Sequence, residues 1–436
     1  MEPYRMKRID RSFTLFFVLA ALAVAVAPGC AARRARSTDL ADPTLKDAGL
    51  ARYWTAEVPI PSDDSLAKVY LIDDTLYLYT LDGIVFALQA DTGLIRWGKK
   101  LSARNFSIQK AGHITGTPGY SLAVFVTPNR THILDRYSGE TIASFPSDFA
   151  MGSAPVGVGD TLFMGSADGN VYALVWHTAG SCETIQWWTV RAGGPVTAAP
   201  ILYGGDRLIV ASQGGQVFSF FANDKALVWN QRTGGAVLGD PVLDGDEVVV
   251  ASTDRSIYKF DAENGSLLWR HRADSPLADS PVVVDHTVYQ YSSRQGLLAL
   301  DADTGREKWR APHAKSFVAQ VEDRVAVWDG RDEVLLLDRV SGEIVAKIPV
   351  PKQAEVVTNT LHDAIYIVER HGRVECVRPR GVPYLHPSKI ASARARLNRS
   401  PQSRGADSAL DKPSGERGDS RSNDPFRSRR DVAQQP

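Results

Sequence analysis

The sequence predicts an all-β protein, a propeller of four-stranded blades, and three observations carry that prediction. First, a ten-residue run recurs near every forty residues, most clearly as Leu88 to Trp97, Phe260 to Trp269 and Leu300 to Trp309, with Trp four places after Gly in each copy. Second, short alternating apolar runs lie upstream of each copy and are split by a tight turn, as in Leu76 to Tyr79, Asp82-Gly83 and Ile84 to Leu88. Third, the units are rich in Val, Tyr, Gly and Asp with a periodicity near two, which disfavours helical repeats. Such units repeated radially at this length are propeller blades.

The chain has 436 residues, 44% of them apolar, which is enough for a large core. Its 50 Lys and Arg balance its 50 Asp and Glu, so whole-chain charge offers no argument for nucleic-acid binding. Three cysteines exclude a disulfide-rich scaffold and a thiolate cluster for zinc or iron–sulfur.

The elements follow in order from the N-terminus. Met1 to Arg11 is basic and Phe13 to Ala27 carries no charge, the layout of a signal peptide over residues 1–29. Those fifteen residues would rise about 22 Å as a helix, short of the roughly 30 Å of a bilayer core, which disfavours a permanent span. Residues 30–50 read as a polar tether. The repeats then occupy 51–378, with modules near 67–101, 110–146, 153–190, 197–231, 238–271, 278–310 and 318–348 and an eighth near 356–378.

In each module Asp-Gly, Gly214-Gly215, Gln295-Gly296 or His371-Gly372 marks a hairpin, expected as a type I′ turn with positive φ at both central residues. Pro118, Pro155, Pro200, Pro241 and Pro281 each open a further strand, where a missing ladder donor is tolerated. The eighth module lacks its Trp-bearing strand, and Arg52 to Val58 looks like a final strand without a blade. Pairing the two closes eight blades and leaves no open edge. Seven blades is the alternative, because the second and seventh modules are degenerate.

From 379 to 436 the pattern gives way to Arg, Ser, Asp and Pro, a composition that does not offset its ordering entropy. This tail reads either as a solvated, disordered extension or as a basic arm for anionic partners. Charge by segment separates the two parts: residues 51–377 hold 29 basic against 39 acidic residues, and 378–436 hold 13 against 6. Neutrality is therefore a cancellation between an acidic propeller and a basic tail.

Two resemblances follow from these residues. Ala27-Pro28-Gly29-Cys30 resembles the lipobox of bacterial lipoproteins, which implies Cys30 as the lipid-bearing residue; ordinary cleavage after Ala27 is the alternative. Ala31 and Ala32 lack the Asp that signals inner-membrane retention in many such lipoproteins, which implies an outer-membrane anchor facing the periplasm. The repeated Asp-x-x-Thr-Gly-x-x-x-Trp run resembles the pyrroloquinoline-quinone-like propeller repeat, and with the lipobox the chain is most similar to the BamB-type lipoproteins. That resemblance implies a scaffold partnering envelope or outer-membrane assembly proteins, a monomer within a complex, without cofactor, metal or nucleic acid.

Trp54, Trp97, Trp188, Trp229, Trp269 and Trp309 recur once per blade and read as inter-blade wedges, since one cofactor cannot touch residues spread around a ring. Gly93, Gly265 and Gly305 are expected at positive φ, and Asp91, Asp261 and Asp301 belong to the same turns. The dehydrogenases of the quinone-propeller family imply an axial calcium site and a disulfide between adjacent cysteines. Here Cys182 and Cys376 lie in different modules, no vicinal pair exists and no long insertion builds that site. Histidine pairs at metal spacing, a phosphate loop and Gly-x-Ser-x-Gly are also missing, and Asp63-Asp64 and Asp73-Asp74 read as solvated loops. The expected function is a non-catalytic scaffold; a propeller sensing a small molecule or glycan in its axial funnel is the alternative, and a quinone-dependent enzyme ranks last.

Overall fold

The computed structural model describes residues 42–115, 121–147, 150–176, 185–383 and 391. Within them one short helix, Asp42–Asp47, precedes 32 strands, and the strands sort into eight antiparallel four-stranded meanders. The first seven meanders span 66–100, 112–146, 156–191, 201–232, 242–272, 282–311 and 316–349. The last takes three strands from 355–379 and its outer strand, Leu50–Glu57, from the N-terminal side, with Leu50 opposite Pro379 and Glu57 opposite Arg373. The second and third meanders also join into one eight-stranded sheet through a parallel pairing of Gly157 with Ile114 and Val158 with Thr115.

Period-two alternation explains how the meanders become a propeller. In Thr75–Thr80 every residue is buried, because Leu76 and Leu78 pack toward the eighth meander while Tyr77 and Tyr79 pack toward the second. Each strand of this kind feeds two cores at once. Eight apolar clusters arise in this way, each shared by two consecutive meanders, and the cluster around Trp54, Leu76 and Tyr366 joins the last meander to the first. The contacts therefore close on themselves.

The first strand of each meander is innermost, since first strands of neighbouring meanders approach one another, and the fourth lies outermost. Outer strands bury little: in Leu227–Arg232 and Leu267–Arg272 only the Trp is buried. Their sequence signal is accordingly one large aromatic among polar residues rather than an apolar run.

Four expectations need correction. The Asp-Gly hairpins are not type I′: Gly83 has φ 74° and Gly169 φ 84°, but neither Asp82 nor Asp168 has positive φ. The Gly83 N–H donates to Thr80 O at 3.1 Å and that of Gly169 to Ser166 O at 3.2 Å, so each loop has three residues, a type I turn ended by one left-handed residue. Pro155, Pro200, Pro241 and Pro281 stand immediately before their strands, which begin at Val156, Ile201, Val242 and Val282. Pro118 lies outside the described residues, and the first strand of its meander is the earlier segment Gly112–Thr115. Finally, the end of the segment read as a tether forms the helix Asp42–Asp47 and buries Leu45 and Ala48 against Ile348 and Val350.

Candidate docking surface

Antiparallel order puts the turns of every meander at two ends of the ring. One end carries the turns joining first to second and third to fourth strands. The other carries the turns joining second to third strands, together with the connections between meanders.

The first end holds the repeat motif. Trp229 Nε1 donates to Ala262 O at 2.9 Å and Trp269 Nε1 to Ala302 O at 2.8 Å, each carbonyl belonging to the third-to-fourth turn of the following meander. Trp54, Trp97 and Trp309 donate in the same way to Ala90, Arg136 and Arg339. The next glycine of each such turn lies flat under that ring: a Cβ on Gly265 would stand 2.6 Å from Trp229 Cδ2, and one on Gly305 2.6 Å from Trp269 Cδ2. Gly93, Gly265 and Gly305 have φ of 69°, 76° and 68°, and Gly139 and Gly342 complete the set beneath Trp97 and Trp309. Trp and Gly of one motif thus serve two different interfaces. At the fourth meander Lys225 takes the glycine position with φ 56°, which the motif does not reveal.

Asp261 and Asp301 open these turns, their Oδ1 atoms accepting the N–H of Asn264 and Thr304 at 2.9 and 3.0 Å. Asp135 and Asp338 do the same for Ser138 and Ser341. Asp91 does not belong to this set, because Gln89 is its structural counterpart: Gly93 N–H donates to Gln89 O as Gly265 N–H donates to Asp261 O. Trp188 pairs with Ala173 across its strand, but its side chain lies outside what is described, as do Cys30, Cys182 and residues 384–436.

Asp73-Asp74 is not a solvated loop. Arg96 Nη2 reaches Asp74 Oδ2 at 2.6 Å, Arg136 binds the other Asp74 oxygen, and His113 donates from Nδ1 to Asp73 Oδ2 at 2.6 Å. The Tyr77 hydroxyl donates to His113 Nε2 at 3.0 Å, which fixes the neutral tautomer. Burial works to raise Asp74, but Arg96 and Arg136 outweigh it and hold the carboxyl well below the usual carboxylate range. Burial pulls His113 below its ordinary value despite Asp73. Asp64 is buried as well, with Oδ1 accepting the N–H of Ser65 at 2.7 Å and of Asp82 at 3.0 Å. These carboxylates are structural clasps whose partners come from elsewhere in the chain.

Carboxylates recur in the first-to-second turns of this end, at Asp206, Asp246, Asp285, Glu322 and Asp323. Near the same end, the outer strands open on large apolar side chains facing solvent: Leu227, Leu267 with Leu268, and Ile344 with Val345. Exposed apolar groups repeated at one register on neighbouring elements mark an interaction surface better than single ones do. Among the described residues there is no group of three or more His, Cys, Asp or Glu that could hold a metal, and no helix long and apolar enough to cross a membrane. Cys376 is buried, and burial pushes its thiol up to about 12.

Comparison with known proteins agrees with this architecture. The family profile described as outer membrane protein assembly factor BamB matches residues 51–179 and 185–320. Among solved structures, BamB from Moraxella catarrhalis superposes with a TM-score of 0.61 at 16% identity, covering 77% of this chain and 99% of that one. The computationally designed Ika8 protein superposes with a TM-score of 0.54 at 13% identity, covering 74% of this chain and 99% of its own. At these identities both show the fold alone. No match to a curated protein sequence was found.

Proposed function

Because the chain belongs to the family of outer membrane protein assembly factor BamB, we propose that it is a non-catalytic propeller scaffold that works by protein–protein contact in outer-membrane protein assembly. The family match across both halves of the propeller carries this reading. The exposed Leu227, Leu267 and Leu268 and the acidic turns beside them supply a surface on which a partner would dock.

On the same reading residues 1–29 are a signal peptide and Cys30 is the lipid-bearing residue. Export then places the propeller in the periplasm, held at the outer membrane by its N-terminal lipid. The chain acts as one monomer within a complex, and its basic segment from 379 is a solvated extension.

The test is photocross-linking in intact envelopes with the probe at Leu227 or Leu267, and at Asp206 as a comparison. Recovery of outer-membrane assembly components from the leucine positions is expected. Clean envelopes that yield none from any of the three sites count against the reading. Loss of membrane association in Cys30→Ser tests the anchor separately.

A further inference from the structure

One junction between meanders departs from the others. The third-to-fourth, fourth-to-fifth and fifth-to-sixth connections each hold nine residues between strands, and each buries one apolar side chain: Val196, Val237 and Leu277. Each of these plugs stands eight residues after the outer-strand Trp position, and its N–H donates to the carbonyl of Ser166, Ser212 or Ser252 in the adjoining turn. The sixth-to-seventh connection has only four residues, 312–315, the shortest among the described connections, and Ala314 is its buried side chain. Where the plug is missing, a cleft of about 450 Å³ opens at the end carrying the inter-meander connections. That volume falls within the roughly 300–1,000 Å³ of ligand sites.

The lining of the cleft has two parts. Tyr291, Ala314, Leu335 and Ile344 supply apolar surface, and Lys315 and Arg331 stand exposed beside it. The acids of the lining are already engaged: Asp329 Oδ1 accepts the N–H of Arg331 at 2.8 Å and of Glu333 at 3.1 Å, and Glu333 pairs with Lys347 at 3.1 Å. Lys315 and Arg331 form no ion pair with a described carboxylate, and Glu355, which feels Lys315 electrostatically, is not within ion-pair distance of it. On a propeller with ten more acidic than basic residues, two uncommitted cations at the mouth of an apolar cleft are a local reversal of sign.

We propose that this cleft binds an amphiphilic anion, an apolar chain or ring ending in one carboxylate or phosphate. The apolar body lies on Tyr291, Ala314, Leu335 and Ile344, and the head is met by Lys315 and Arg331. The inner strands do not line the cleft, so the site is separate from an axial funnel, and it is remote in the ring from Leu227 and Leu267.

Calorimetry and thermal melting of the full chain test the proposal with three probes sharing one body: octanoate, octyl phosphate and neutral octyl glucoside, each below its micellar concentration. Octanoate or octyl phosphate is expected to bind at least tenfold tighter than the glucoside, and their ranking tells a carboxylate source from a phosphate source. The double variant Lys315→Ala/Arg331→Ala is expected to lose that preference. Ala314→Leu, which restores a plug, is expected to abolish binding without lowering the melting temperature of the free protein. Equal binding of the glucoside, no binding of either anion to the wild-type chain, or anion binding that survives both variants overturns the proposal. A folded, unliganded Ala314→Leu protein keeps the test valid if the double variant proves unstable.

Discussion

The two-interface role of the repeat motif is tested by comparing two glycine substitutions that share a backbone conformation. Gly245 has φ 62° with nothing within 4 Å of an added Cβ, whereas Gly265 has φ 76° and an added Cβ would meet Trp229 Cδ2, Cγ and Cε3 at 2.6 to 2.9 Å. Alanine at either site meets the left-handed penalty of about 1–2 kcal/mol. At Gly265 it also forces the ring away, because carbon atoms pack at about 3.5–4.0 Å. Trp229 has no room to retreat, since Val248, Val250 and Phe260 back it within a fully buried cluster. Displacing it gives up part of the roughly 3–5 kcal/mol that deleting a buried Trp costs, together with its hydrogen bond to Ala262 O. Gly265→Ala is therefore expected to cost about 3–5 kcal/mol and Gly245→Ala about 1–2 kcal/mol. Guanidinium unfolding followed by circular dichroism reads both, compared as midpoints at constant slope. In a Trp229→Ala background the cost of Gly265→Ala should fall to about 1–2 kcal/mol, a coupling that a double-mutant cycle isolates. Equal costs at the two glycines, or an undiminished cost without the Trp, would refute the docking argument.

Three further outcomes follow from the geometry. The lowered pKa of Asp74 means that the stability it contributes is present above the ordinary carboxylate range and is lost as pH falls through the lowered value. His113 is held neutral, so the unfolded chain binds the extra proton and stability also falls as pH drops below about 6.5; His113→Gln should flatten the slope in that window and Asp74→Asn the more acidic one, read by urea titrations from pH 3 to 8. Removing residues 42–58 deletes the strand that closes the eighth meander, so the truncated chain should be cleaved rapidly by protease, and a synthetic peptide spanning 50–58 should restore protection; wild-type resistance without the peptide contradicts the closure. Cys376, buried with its thiol pushed up to about 12, should resist iodoacetamide in the native protein and react once unfolded, as peptide mass spectrometry detects; native labelling at a comparable rate contradicts this burial.

The elements legible in the sequence are those whose cause is local. Leu76 to Tyr79 alternates because one strand feeds two cores, and Trp recurs because an edge strand has one buried position, so both signals repeat with the meander. The closing strand at Leu50–Glu57 was legible by arithmetic, as an outer strand without a module. Turn type was not, because Asp-Gly ends a three-residue loop as readily as it centres a two-residue one, and the strand ends decide. The clasp at Asp73-Asp74 was hidden for a different reason: Arg96, His113 and Arg136 are brought to it by packing of the first meander on the second. Helix Asp42–Asp47 did leave a trace, Pro43 just after Asp42, a helix-start signature inside a stretch otherwise read as polar. The cleft near Ala314 was written as a deletion, visible only by measuring the connection against its sister repeats.

The pairing of Leu50 with Pro379 joins positions more than 300 residues apart, whereas each of the first seven meanders is built from neighbours in sequence. Local pairings form early and distant ones late, so completion of the ring is the last step of folding. Made from its N-terminus onward, the chain carries its closing strand first and must hold it unpaired until Arg373–Pro379 has emerged. During that interval Leu76 and Leu78 lack the cover of Tyr366 and Val374, and the third strand of the last meander lacks a neighbour on one side. Exposed apolar faces and open strand edges are the features through which partly folded chains aggregate. The fold thus concentrates its period of greatest vulnerability at a single late event, and the speed of that closure sets how long the chain needs protection.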